Sequence, residues 1–172
     1  MKINTNDIHK LQELRAFQTV ELSGVVYTAR DAAHKRIASL LSDGLPCPFA
    51  LKDSAIYYAG PTPTKPGMSI GSCGPTTSSR MDAYTPMLLD NGLKIMIGKG
   101  PRNAVVIDSI IKNKAVYLCA IGGAGALVAK SVLSCEEIAF CELGCESVKK
   151  LEIKDMSLIV AIDSLGNSIF KN

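Results

Sequence analysis

Between Gly71 and Asp82 the chain reads Gly-Ser-Cys-Gly-Pro-Thr-Thr-Ser-Ser-Arg-Met-Asp. The glycines and proline fix a tight path and leave backbone N–H groups open to a ligand. Four hydroxyls, at Thr76, Thr77, Ser78 and Ser79, lead to Arg80, and the serines can cap a helix beginning there. A backbone cradle, a helix N-terminus and a guanidinium fork together suit an anion, most simply a carboxylate. The same residue types also describe a glycine-rich connector with an ordinary cap, so the company the loop keeps must decide.

Lys99 follows an apolar run and lies between Gly98 and Gly100, which would let a ligand approach the backbone; a plain turn lysine would look the same. Arg30 lies at a strand-to-helix junction, where polar side chains gather at the mouth of an α/β sheet, although a solvated surface arginine paired with Asp31 or a neighbouring carboxylate is the commoner meaning of that residue type. His34 is four residues further on and can share a helical face with Arg30, either transferring protons or bonded to a carboxylate as a structural residue. His9 reads as solvated surface. Cys73 sits within the focal loop, but with no second cysteine nearby in sequence and no evident base it reads as an inert thiol. A Walker loop is excluded, because five residues separate Gly92 from Gly98 and Gly100 stands where Ser or Thr is required. Gly122-Gly-Ala-Gly lacks the third glycine of a dinucleotide fingerprint and reads as close helix packing.

Those residues need a scaffold, and composition supports one. The chain has 172 residues, 47% of them apolar and 20% charged, which suits a single globular domain with a real core. A formal charge of +3, with 5% aromatics and no Trp, argues against nucleic acid. No apolar run approaches the roughly 18 residues needed to cross a bilayer, and the N-terminus does not read as a signal peptide. The six cysteines form no C-x-x-C pair, and several lie in apolar runs, predicting buried thiols in a cytoplasmic protein rather than disulfides or a zinc site.

Residues 1–18 read as an N-terminal arm, helical over Asn6–Phe17 with Thr5 or Asn6 as cap. Thr19–Thr28 predicts a strand with a kink or bulge at Gly24. A helix follows with Asp31 near its N-terminus, an apolar face of Ala33, Ile37, Leu40 and Leu41, and an end at Gly44. Ala55–Ala59 reads as a short strand running into a stiff loop, Gly60–Gly67, and after the focal loop a helix interrupted near Pro86 is expected. Leu93–Ile97 and Ala115–Ile121 read as strands, with between them a helix presenting Val105, Val106, Ile110 and Ile111. A small-residue helix from Gly122 to Lys130 and separate strands at Val148–Ile153 and Leu158–Ile162 complete the chain. Strands alternating with helices predict an α/β domain with a mixed sheet.

Tyr27-Thr-Ala-Arg-Asp-Ala-Ala-His-Lys-Arg36, Tyr58-Ala-Gly-Pro61, Gly74-Pro-Thr-Thr-Ser-Ser-Arg-Met-Asp82 and Ile97-Gly-Lys-Gly100 carry a resemblance over nearly the whole chain. Leu143-Gly-Cys-Glu-Ser-Val-Lys-Lys-Leu-Glu152 adds weaker support. Together these blocks resemble the β subunit, or C-terminal domain, of the class I iron–sulfur hydro-lyases, fumarate hydratase class I and L-tartrate dehydratase. The resemblance implies a swivelling β/β/α domain. It implies that a partner α subunit carries a 4Fe–4S cluster in a heterodimer or heterotetramer. By the same resemblance Arg30, Arg80 and Lys99 would hold the carboxylates of malate or fumarate. Thr76 would sit at the reacting carbon, His34 would join it as a second catalytic residue, and Asp31 would support them. No cysteine here matches a cluster ligand, so no metal residue is assigned.

Chemistry agrees with a half-site. Eliminating water from a 2-hydroxy dicarboxylate needs charge clamps, a base at C3 and a Lewis acid on the departing hydroxyl. This sequence offers cations and hydroxyls, and the threonine would need activation by a neighbour or a dry pocket. The Gly60–Gly67 loop looks more like the fumarase branch, which favours fumarate and malate. A tartrate dehydratase β subunit and a non-catalytic dicarboxylate-binding module are the other readings.

Overall fold

The computed structural model describes residues 1–64, 66–120 and 125–170. Strand β1 (Lys2–Asn4) and helix α1 (Ile8–Glu13) come first, and Leu11 and Leu14 are buried beneath the arm. Strand β2 (Thr19–Thr28) leads directly into helix α2 (Asp31–Ser42). Strand β3 (Ala55–Tyr57) follows, then a one-turn 3-10 helix (Ser78–Met81), helix α3 (Thr85–Asp90) and strand β4 (Ile95–Gly98). Helix α4 (Ala104–Asn113), strand β5 (Val116–Ala120), helix α5 (Gly125–Ser131) and strand β6 (Val132–Ala139) lead to a second 3-10 segment (Cys141–Glu146). The last strand, β7 (Val148–Ile162), is 15 residues long.

That length closes the sheet. Strands β2, β3, β4 and β5 are parallel neighbours, and β7 runs antiparallel to both β5 and β2, so five strands form a closed ring. Closure leaves the ring without an unpaired edge. β1 pairs with β2 over Glu21–Ser23, and β6 hangs on β7 outside the ring. Alternation along the strands divides the interior into two cores. Val26, Tyr57, Ile95, Ile97, Val116 and Leu118 belong to one, while Ile56, Met96 and Tyr117 face the other, beneath α2, α3 and α4.

The α/β alternation, the mixed sheet and the bulge are as the sequence predicts: the β2–β7 register slips between Leu22 and Gly24. Several elements differ. Helix α1 is shorter than predicted, and its N-cap is Asp7, with no side-chain capping bond. Pro86 does not interrupt a helix. It sits in the first turn of α3, where its missing N–H costs nothing. Val148–Ile162 is one strand: Lys154 and Asp155, the latter at a positive φ of 49°, lie where the β2–β7 register slips, and pairing resumes on either side at Met156 and Ile153. On α4, Val106 and Ile110 are buried but Val105 and Ile111 are exposed. The small-residue helix begins at Gly125; its expected start at Gly122–Ala124, like Ile121, lies outside the described residues.

Candidate active site

Three parallel strands end side by side. β2 delivers Arg30, β3 delivers Tyr58 to Gly60, and β4 delivers Lys99. Polar groups at strand carboxyl ends are where α/β sheets bind ligands. The focal loop is stitched across this edge by backbone bonds. Ala59 and Pro75 form an isolated bridge, and Thr76 N–H donates to the Tyr58 carbonyl at 2.7 Å. Thr77 bridges Lys99, and Ser78 N–H donates to the Lys99 carbonyl at 2.9 Å. The structure therefore brings Thr76, the start of the Arg80 turn and Lys99 onto one seam.

The arginines join that seam through one carboxylate. Arg80 Nε donates to Asp31 Oδ1 at 2.9 Å, while Arg30 Nε lies 3.9 Å from Asp31 Oδ2 and 3.5 Å from Glu146 Oε1. Arg80 is thus hydrogen-bonded through its inner nitrogen, while Arg30 Nε lies within ion-pair distance of both carboxylates without a hydrogen bond to either. The paired outer nitrogens, the edge that grips a carboxylate bidentately, are left for another partner. Arg80 is half exposed, at 52%, and Arg30 is 24% exposed. Lys99 is exposed and makes no ion pair among the described residues. The seam therefore carries three cations, Arg30, Arg80 and Lys99, against two carboxylates, Asp31 and Glu146, a local excess of positive charge that favours an anion. Gly60 is needed here because a Cβ would meet Arg30 Cδ and Nη1 at 3.0 Å.

The expected serine cap is not formed. Thr77 is the N-cap residue, without a side-chain bond, and the 3-10 turn that follows is four residues long. So short a turn has little dipole to offer, and the expected open backbone cradle is largely spent, because Cys73, Thr76 and Ser78 N–H donate to the Gly125, Tyr58 and Lys99 carbonyls, which leaves Arg80 as the loop's group for an anion. Ser78 Oγ turns inward, accepting from Lys99 N–H at 3.0 Å and lying 2.8 Å from Tyr117 Oη.

His34 is fully buried. Its Nδ1 lies 2.9 Å from the Arg30 carbonyl, which can only accept, so Nδ1 carries the hydrogen and Nε2 is left unprotonated and without a partner. Burial, reinforced by the Arg102 charge, lowers its pKa to about 4 against the pull of the Arg30 carbonyl and Asp31. The ring is neutral at pH 7, packed edge-on to Tyr58 at 5.3 Å. Cys73 is also buried, and desolvation pushes its thiol up to about 12, leaving it inert as expected.

Arg102 is a residue that sequence reasoning passed over. Its side chain is 0% exposed, with Nε donating to Asp82 Oδ1 at 2.6 Å, Nη2 to Thr85 Oγ1 at 2.7 Å and Nη1 to Tyr58 Oη at 3.3 Å. The rings of Tyr58 and Tyr117 lie 5.3 and 5.1 Å from its guanidinium carbon. Asp82 closes the focal block, so this pair anchors the loop's far end to the α4 entrance. Beside Arg30, past Gly60 and Cys145, lies a cavity of about 300 Å³ lined in part by Thr62, Glu137, Cys145 and Lys149.

The family described as the fumarase C-terminus matches residues 1–172. The chain belongs to that family. Among individual proteins it is 40% identical over 153 residues to "Fumarate hydratase 2" of Leishmania major, covering 88% of this chain and 27% of the relative. It is 39% identical over 154 residues to "Fumarate hydratase class I, anaerobic" of Escherichia coli strain K12, covering 88% of this chain and 28% of the relative. With the "Putative L(+)-tartrate dehydratase subunit beta" of Methanocaldococcus jannaschii it shares 39% identity over 176 residues, covering 99% of this chain and 89% of the relative. The fumarase C-terminal domain seen here thus spans about a quarter of the fumarate hydratases it matches and most of a tartrate dehydratase β subunit.

The iron–sulfur cluster implied by the sequence resemblance does not fit this fumarase C-terminal domain. Its six cysteines are unpaired, and Cys141 and Cys145 are exposed where the sequence predicts buried thiols. Among the described residues no group of three or more His, Cys, Asp or Glu side chains is placed to hold a metal.

Proposed function

We propose that this chain is the substrate-gripping β subunit of a hydro-lyase that interconverts fumarate and L-malate in the cytoplasm. In this reading a cluster-bearing α subunit completes the site, and the chain is the swivelling β/β/α domain of the assembly. Arg30 and Arg80 receive the substrate carboxylates on their outer nitrogens, and Lys99 adds a third cationic contact. Thr76 presents its hydroxyl at the reacting carbon, where it takes part in moving the C3 proton with an acid or base from the partner. His34, buried and neutral, acts through the Arg30 carbonyl and not on substrate, and Asp31 aligns the two guanidinium groups. The observation that carries this reading is Asp31 standing between the two arginines, hydrogen-bonded to Arg80 Nε and 3.9 Å from Arg30 Nε, on the seam where Thr77 bridges Lys99.

A second reading, the β subunit of an L-tartrate dehydratase, draws on the end-to-end match to β subunits of that name, 39% identical across 99% of this chain. One experiment serves both. The chain is co-expressed with a candidate α subunit, iron and sulfide are supplied anaerobically, and malate and tartrate are assayed side by side. Turnover of malate with loss on Thr76→Ala supports the first reading, and preference for tartrate supports the second. Dicarboxylate binding that survives Thr76→Ala without any turnover would leave only a non-catalytic binding module.

A further inference from the structure

We infer that Ser78 and Tyr117 are positioning residues for Lys99, joined to it by a closed ring of hydrogen bonds that fixes the backbone from which its ammonium extends. This rests on the proposed dicarboxylate site, whose cationic contacts include Lys99.

The ring has one direction. Tyr117 Oη lies 2.8 Å from the Gly100 carbonyl and 2.8 Å from Ser78 Oγ. A carbonyl only accepts, so the single phenolic hydrogen goes to Gly100. Ser78 must then donate its own hydrogen to Tyr117 Oη, which leaves its oxygen to accept Lys99 N–H at 3.0 Å. The path therefore runs from the Lys99 amide through Ser78 and Tyr117 to Gly100, leaving and re-entering the chain on either side of the lysine carbonyl. That carbonyl is itself taken by Ser78 N–H at 2.9 Å. Burial holds the Tyr117 phenol above its ordinary pKa, so the donor stays protonated.

The neighbours are shaped around this clasp. At Gly98 a Cβ would collide with Ser78 Oγ and come within 2.8 Å of Tyr58 Cδ2, so only glycine lets β4 pass under the serine. On the other side Arg102 lies over the Tyr117 ring, fixing where the hydroxyl points. Phenylalanine would fill the same core volume, and the hydroxyl is spent on the turn that carries Lys99. An exposed lysine has a long, mobile stem, and a rigid origin is what limits where its charge travels.

The test uses Tyr117→Phe and Ser78→Ala in the assembled complex, with Ser54→Ala as control, since Ser54 also loses one buried hydrogen bond, to the Leu51 carbonyl, remote from the seam. Binding of succinate, a non-reacting dicarboxylate, is measured by calorimetry and malate turnover by kinetics. In the isolated full chain, hydrogen exchange of the Lys99 amide is followed by NMR. We expect Tyr117→Phe, which removes the bonds to both Gly100 and Ser78, to weaken succinate and raise KM roughly five- to ten-fold, with kcat changed less than about three-fold. Lys99 amide exchange should accelerate by at least about ten-fold, and Ser54→Ala should move none of these. Unchanged KM and unchanged exchange, or a fall in kcat alone, would overturn the assignment. If the unmutated complex bound no dicarboxylate, the site reading would fall, and Lys99 exchange alone would then decide whether the clasp exists. If Ser78→Ala proves unstable, the isosteric Tyr117→Phe still gives the answer.

Discussion

Asp31 approaches Arg80 at Nε and leaves the guanidinium's outer edge open, and this detail separates an arginine from a lysine at position 80. A lysine keeps the charge but has no inner nitrogen by which to be aimed and no fork with which to grip. On the proposed function, Arg80→Lys should lower kcat/KM of the complex with the α subunit on the order of ten-fold or more, through KM, with little change in thermal stability. Steady-state kinetics beside a melting curve check it. His34 makes its own prediction. Its folded pKa of about 4 lies below the ordinary value of 6.5, so the unfolded chain binds the proton first as pH falls. Its contribution is complete above pH 6.5 and drains away as pH drops toward 4. Unfolding free energy from urea titrations should lose on the order of 2 to 3 kcal/mol between pH 6.5 and 4.5. A His34→Gln variant, with nothing to titrate there, should be flatter over that window. The cations at 30, 80 and 99 were legible because glycines or a strand–helix junction mark them. Arg102 and Tyr117 were not, because a buried arginine shows itself by its acceptors, and Asp82 and Thr85 lie 20 and 17 residues away.

At the scale of elements, the bulge at Gly24 shows how local chemistry and packing combine. Gly24 has φ +116°, a conformation other residues rarely adopt, and a Cβ there would collide with Thr5 Oγ1 and approach Asn4 Oδ1 at 3.0 Å. Val25 N–H donates to Thr5 Oγ1 at 3.2 Å, so the bulge is also the socket for the N-terminal arm. Gly24→Ala should destabilise the chain by about 2 to 3 kcal/mol, seen as a lower melting temperature and faster exchange at β1 amides. This bulge could be read in advance because glycine within a β-branched run has few other meanings. β6 could not. Leu133, Ser134, Glu136 and Glu137 are exposed or half-buried, and neither alternation nor an apolar run marks a strand whose one partner is β7. The length of β7 was hidden for the opposite reason: Lys154, Asp155 and Ser157 read as a break, yet Asp155 N–H is taken by Ser23 Oγ and pairing resumes at Met156.

Taken whole, the molecule is a ring of five strands with helices over part of its outer surface and its charged seam along one rim. Closure by β7 ties the first and last thirds of the sequence together, since Thr19–Thr28 pairs with Lys149–Ile159. Such a fold should unfold in one cooperative transition in urea, with far-UV and tyrosine signals coincident. In the proposed function the rim is the charge clamp and a second subunit completes the reactor. On that reading the rim offers Arg30, Arg80 and Lys99 for carboxylates and Thr76 for a proton, while its one nearby imidazole is buried and neutral and its cysteines are scattered. A threonine hydroxyl has a pKa far too high to remove a C–H proton unaided. On the proposed reading the isolated chain should therefore fold cooperatively, bind succinate weakly and turn over neither malate nor tartrate, and adding the α subunit should restore turnover without altering the chain's own fold. Dehydration of malate at enzyme-like rates by the purified chain alone would show that this rim needs no second half, because the base would then have to lie within this chain.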